Sequence, residues 1–190
     1  MKRSRSVEWA GFTLVEALMV IVLLGLVAAF AIPKLNFGAY RINAGVRGLA
    51  GLLARAQRLA VTDQSDVNVI FNTSDNSVTL HEDANNDNVI QSTERVRTYP
   101  LGEGVAFGLG GAPLRVFAPA PLTFTHEMNG KPELIFRRDG SASENGAIYL
   151  TSTAALVSAR PTDGRDVEII EATGRVQWYQ YNGSAWVQKF

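Results

Sequence analysis

Six oxygen-bearing positions fall within the twelve residues Asp83 to Glu94, DANNDNVIQSTE, at the spacing of a calcium-binding loop. Asp83, Asn85 and Asp87 would supply side-chain oxygens at the first, third and fifth places. Val89 would give a backbone carbonyl at the seventh, Gln91 stands at the ninth, and Glu94 can bind through both oxygens at the twelfth. Ile90 fills the apolar eighth place. Asn88 stands at the sixth, where a sharp turn calls for glycine, although asparagine tolerates left-handed backbone better than most residues. Strand-like runs rather than helices flank the segment. Asp and Asn also gather in ordinary turns, so a polar hairpin loop accounts for the same residues. That loop is the favoured reading, calcium is the alternative, and no other cofactor is expected.

Other reactive chemistry is sparse. Cysteine is absent, which excludes disulfides, thiolate metal sites and a cysteine nucleophile. The two histidines, His81 and His126, lie in strand-like runs without the spacing of a zinc site. No nucleophile elbow or phosphate-binding loop is present. Glu133, ahead of a strand, and Asp163 and Asp166, in a polar turn, read as solvated charges. The chain is not expected to be an enzyme.

One acid sits where acids are costly. Phe12 to Ile32 is a run of 21 residues whose single charge is Glu16. At 1.5 Å per residue it covers roughly 31 Å, the thickness of a bilayer core. Starting after Glu16 would leave only about 24 Å, so the acid belongs inside the span. Before it, Lys2, Arg3 and Arg5 stand against Glu8, and this bias predicts a cytoplasmic N-terminus and an exported C-terminal part. A cleaved secretory signal would find a small-x-small site at Ala29-Phe30-Ala31, but the apolar run is too long for one. An ordinary anchor leaves the acid unexplained, because inserting a central carboxylate costs about 2.5 to 3.5 kcal/mol.

The stretch Gly11-Phe12-Thr13-Leu14-Val15-Glu16, behind its basic leader, resembles the processing site of type IV prepilins and type II secretion pseudopilins. The resemblance implies cleavage by a dedicated peptidase between Gly11 and Phe12, N-methylation of Phe12, and an assembly role for Glu16. Pro33 falls where the family's long helix often carries a kink. Cleavage would leave a cationic amine on Phe12, and Glu16 could pair with that amine, its own or a neighbour's, since a buried pair is tolerable where lone charges are not.

Beyond the span, Pro33 should kink or stop the helix. Val46, Leu49, Leu53, Ala56 and Ala60 then recur at helical spacing, with Leu52 and Leu59 widening the stripe and Arg47, Arg55 and Arg58 on the polar side. Gly45, Gly48 and Gly51 are poor helix formers, so this part of the helix is expected to be soft. From Asp66 the period changes to two. DVNVIF, SVTLHE, RVRTYPL, VEIIEA and RVQWYQY read as strands, with turns at Asn129-Gly130, Asp139-Gly140, Thr173-Gly174 and Asn182-Gly183. Gly102 to Pro121, rich in Gly, Pro and Ala, reads as a loop-laden connection. The expected fold is α+β, a long N-terminal helix packed on an antiparallel β domain. Its parts are a leader (1–11), a transmembrane helix (12–32), an amphipathic continuation (33–64) and a periplasmic β domain (65–190).

This layout, with GSASENGAIYLTS and VEIIEATGRVQWY near the end, is similar to the H-type minor pseudopilins of type II secretion and to minor pilins of type IV pili. The resemblance implies a subunit held in the inner membrane with its C-terminal domain in the periplasm. There it would join other pseudopilins or pilins in a filament that supports protein export. It also implies a prepilin peptidase/methyltransferase and an inner-membrane assembly platform as partners. The rival is a minor pilin that primes pilus assembly or takes up DNA through a basic Gly-Arg-x-Arg hairpin element. Here Gly174, Arg175 and Val176 are followed by Gln177. Lys and Arg (18) balance Asp and Glu (18) over the whole chain, which argues against a nucleic-acid partner.

Overall fold

The computed structural model describes residues 11–31 and 37–189. They divide into one unit reaching Phe37 and another beginning at Gly38, and each is described by itself. Pro33, the expected kink, lies outside the described residues.

In the first unit, helix α1 (Leu14–Ala31) is apolar on every side apart from Glu16. From Leu14 to Ala29 its side chains are exposed, Leu14 at 82% and Ile21 at 69%, so among the described residues nothing in its own unit covers them. Eighteen residues span about 27 Å, short of the roughly 31 Å expected for the full run to Ile32. Among the described residues no helix is long and apolar enough to cross a membrane.

The second unit is built on helix α2 (Phe37–Asp63). Val46, Leu53, Ala56 and Ala60 are fully buried and Leu49 nearly so, while Leu52 and Leu59 pack at the margin. The five-residue stripe expected from spacing is therefore the face that enters the core. Arg47, Arg55 and Arg58 are exposed. The helix runs unbroken through Gly45, Gly48 and Gly51. Gly45 is a contact point, because a Cβ there would lie 3.0 Å from both the Leu101 carbonyl oxygen and a Val105 methyl.

Among the described residues ten strands follow, all paired antiparallel. One sheet has the order β3 (Arg95–Pro100), β2 (Ser77–Asp83), β1 (Asp66–Asn72), β6 (Lys131–Phe136), β5 (Glu127–Met128). The other runs β10 (Trp186–Lys189), β9 (Arg175–Tyr181), β8 (Arg165–Ile170), β7 (Gly146–Ser152), β4 (Val105–Phe107). A single helical turn, α3 (Thr153–Val157), follows β7. All five strands expected from alternation are present, and the α+β architecture with a helix on antiparallel sheets is the one anticipated. The Gly102 to Pro121 connection is irregular except for β4. At the β5–β6 hairpin Asn129 and Gly130 both have positive φ, 52° and 71°, as a turn matched to strand twist requires.

Both sheets give their inner faces to α2. Val67, Val69, Phe71, Leu134 and Phe136 of the first sheet and Ile148, Leu150, Val167 and Ile169 of the second are fully buried in one cluster with the α2 stripe. Gln57 on α2 donates 2.7 Å hydrogen bonds to the carbonyls of Gly140 and Thr173, capturing two of the expected turns. Arg165 of β8 is buried and reaches the Asn43 side chain of α2 at 2.9 Å.

Candidate functional site

Two regions carry the sequence-predicted residues. In the first, Gly11, Phe12 and Thr13 precede α1, and Phe12 is 80% exposed. The Thr13 hydroxyl accepts the Glu16 amide at 3.2 Å, and the Thr13 carbonyl accepts the Ala17 amide at 3.1 Å. The Thr13 hydroxyl thus caps the helix start, Thr-x-x-Glu is the spacing of a capping box, and an acid in the first turn complements the positive end of the helix dipole. Besides the assembly role that the resemblance implies, Glu16 therefore has a local place as the first-turn acid of α1, and the Thr-x-x-Glu spacing is the sequence signal for it. The Glu16 side chain is exposed and has no ion pair among the described residues.

The second region is the β2–β3 connection, residues 84–94. On β1 and β2, residues facing away from the core should meet solvent, because strand side chains alternate. Instead Asn68, His81 and Asp83 on that outer face are 1%, 0% and 1% exposed. The connection folds back over the sheet and buries them, as its hydrogen bonds show. Asn88 accepts from the Asn68 side chain at 2.6 Å and donates to Glu133 of β6 at 3.0 Å. Glu94 meets His81 Nε2 at 2.7 Å, and its own side chain is 3% exposed. Asn68 Nδ2 lies 3.3 Å from His81 Nδ1, an arrangement that places the imidazole proton on Nε2, toward Glu94. The hydrogen bond from His81 is the main reason the Glu94 carboxyl is held below its ordinary pKa.

The loop brings together the three carboxylates that spacing placed at the first, fifth and twelfth positions. Ligand oxygens of Asp83, Asp87 and Glu94 lie within 4.8 Å of one another. Asn85 touches the group through both ends of its amide: Oδ1 accepts the Asp87 amide at 3.2 Å and Nδ2 donates to Asp87 Oδ2 at 2.8 Å. Asp83 accepts the main-chain amides of Asp87 and Asn88, and Asn88 at the sixth position takes the left-handed conformation, φ 56°. Gln91 donates to Asp87 at 2.6 Å. Val89 gives its amide to Asp87 at 2.9 Å, while its side chain is exposed. Ile90 is 42% exposed, so the apolar eighth position does not serve the core.

Two of the acids read as solvated are buried. Glu133 lies within β6, 1% exposed, under the folded-back loop. Asp166, fully buried on β8, is flanked across the sheet by Tyr149 and Tyr179. Burial raises its pKa to about 7 against the pull of Arg115, 3.4 Å away. Asp163 accepts the Ser152 hydroxyl at 2.6 Å. Strand alternation marks Glu133 and Asp166 as outward-facing, and only the chain crossing above them makes them interior. His126 pairs with Glu144 at 2.9 Å. Gln177, in place of the second arginine of a basic hairpin, accepts from Tyr179 and Gln188 at 3.0 Å each.

No protein-family model and no curated protein matches the chain. Among solved structures, it is similar to the minor pseudopilin EpsH from the type 2 secretion system of Vibrio cholerae. One such structure aligns at 13% identity with a TM-score of 0.46, over 73% of this chain and 94% of the other. A second aligns at 17% identity with a TM-score of 0.45, over 71% and 92%.

Proposed function

We propose that this chain is a minor pseudopilin-type subunit that works by assembly rather than catalysis. In this reading it is made as a precursor and cut between Gly11 and Phe12 by a prepilin peptidase, which also methylates Phe12. The segment 12–32 holds it in the inner membrane with its C-terminal domain in the periplasm. An assembly platform then moves it, with other pseudopilins, into a periplasmic filament that supports protein export. The observation that carries the reading is the motif Gly11 to Glu16 set at the start of α1. That helix is apolar on every side and has no cover in its own unit, so it needs lipid or neighbouring helices.

The chemistry of such a subunit is electrostatic. Cleavage frees an amine at Phe12, four residues before Glu16. In lipid or a helix bundle the two charges are far less costly together than apart, so a subunit with its register correct is favoured over one displaced along the axis. The direct test is mass spectrometry of the mature N-terminus in a host with prepilin peptidase. A product beginning with methylated Phe12 is expected, and Gly11→Val should abolish it. A deletion strain then assigns the machine. Lost protein secretion with intact twitching and transformation fits the reading, whereas lost twitching or transformation with intact secretion would place the chain in a type IV pilus.

A further inference from the structure

We propose that residues 112–117 form a pH-operated strap, closed over the outer face of the second sheet while Asp166 carries a proton and lifted once it ionises. Arg115 turns inward from this segment, while its neighbours Leu114 and Val116 are 47% and 61% exposed. Side chains of the sheet tie the strap down. The Arg115 amide donates to the Tyr149 hydroxyl at 3.2 Å, and that hydroxyl donates to the Phe117 carbonyl at 2.9 Å. Trp186 Nε1 donates to the Pro113 carbonyl at 3.2 Å. The Arg115 guanidinium lies over the Tyr179 ring and meets Glu168 at 2.9 Å and Asp166 at 3.4 Å.

Beneath the strap the charges do not balance. Asp166 is fully buried, and its Oδ1 has no hydrogen-bond partner. The titratable groups facing it are Arg115 on the strap, Glu168 on its own strand, and the phenols of Tyr149 on β7 and Tyr179 on β9. Burial holds both phenols above their ordinary pKa, so they stay neutral. One cation, bound more closely by Glu168, therefore serves two acids. With Asp166 protonated the group is neutral. With Asp166 ionised it holds one uncompensated buried charge, which is costly until water reaches it. The strands on either side are locked by continuous ladders, whereas the strap is held by a few side chains, so lifting it is the easier way in. In the lifted state the carboxyl regains its ordinary pKa near 4, against about 7 when covered. The ratio of lifted to closed protein then grows about tenfold per pH unit across that interval and levels off above it.

The test is amide hydrogen exchange of the full chain in detergent, resolved to single residues, from pH 5 to pH 8 and corrected for intrinsic rates. The Arg115 amide should exchange well ahead of the Val167 amide in the middle of β8, and its protection should fall about tenfold per pH unit up to about 7. Asp166→Asn should remove that pH dependence. Glu168→Gln leaves Arg115 wholly to Asp166 and should shrink it. Arg115 and Val167 amides that exchange together at every pH would overturn the proposal, since the strap would then open only when the whole domain unfolds. An Asp166→Asn profile with the parent's slope would overturn it too. None of these outcomes bears on cleavage at Gly11, so the strap and the filament reading fail separately.

Discussion

Asp166 is fully buried on β8. Its Oδ1 has no partner, and its Oδ2 shares the Arg115 guanidinium with Glu168, which takes the closer bond at 2.9 Å. Arg115 also stacks over Tyr179, 3.5 Å from the ring centre. One cation therefore serves two acids on a face of the second sheet, and burial outweighs it, lifting Asp166 to about 7. An acid whose pKa is raised on folding binds its proton more tightly in the folded state. Its contribution is then full below about pH 4 and is lost as pH rises through 7, on the order of 4 kcal/mol in all. Melting curves of the parent and Asp166→Asn at pH 5 and pH 8 isolate this residue, since the histidines are common to both. The variant should be the more stable protein at pH 8, and the gap should narrow by more than half at pH 5. Arg115→Ala makes the complementary case. Stranding a buried carboxylate costs about 3 to 5 kcal/mol, and that cost should appear at pH 8 and shrink at pH 5, where Asp166 carries its proton.

Among the elements, α2 shows how one residue type takes opposite roles along one helix. Gly48 and Gly51 face open space, whereas a Cβ on Gly45 would press on the Leu101 carbonyl oxygen and Val105. Alanine gains about 1 kcal/mol over glycine in a helix interior, so Gly48→Ala and Gly51→Ala should each stabilise by up to that amount. Gly45→Ala should destabilise, because moving α2 away from Leu101 and Val105 loosens packing worth more than the propensity gain. Urea denaturation of the three variants checks both signs. In sequence the three glycines looked alike, while the stripe from Val46 to Ala60 was fully legible, since periodicity reports which face is buried but not what lies against it. The strands divide the same way. β1, β2, β3, β8 and β9 announce themselves by alternation, and β4 hides as three residues within a Gly- and Pro-rich connection. The acidic loop was legible as spacing, down to the left-handed Asn88. Its fold back over Asn68, His81 and Glu133 was not, because burial by a loop is decided by tertiary contacts far apart in the chain.

For the molecule as a whole, the question is what Glu16 does when subunits meet. Two accounts stand side by side. As the third helical residue of a Thr-x-x-Glu start it stands where a capping-box side chain reaches back to the Thr13 amide, a local role worth about 1 kcal/mol, while its own main-chain amide is held by the Thr13 hydroxyl. As a carboxylate it pairs with the Phe12 amine freed by cleavage and fixes axial register between subunits. Glutamine separates them, because it fills the capping position as glutamate does but carries no charge. If capping is the whole role, Glu16→Gln should assemble normally and Glu16→Ala or Thr13→Ala poorly. If the charge pair governs assembly, Glu16→Gln should fail as completely as Glu16→Ala, with membrane insertion and Gly11 cleavage intact in both, and Thr13→Ala should fare better than either. The readouts are membrane fractionation, N-terminal mass and the amount of each variant crosslinked into sheared filaments. The exposed surface of α1 favours the second outcome. In the proposed filament neighbouring helices would cover α1, and there an uncompensated carboxylate would cost several kcal/mol and a lost cap only about one.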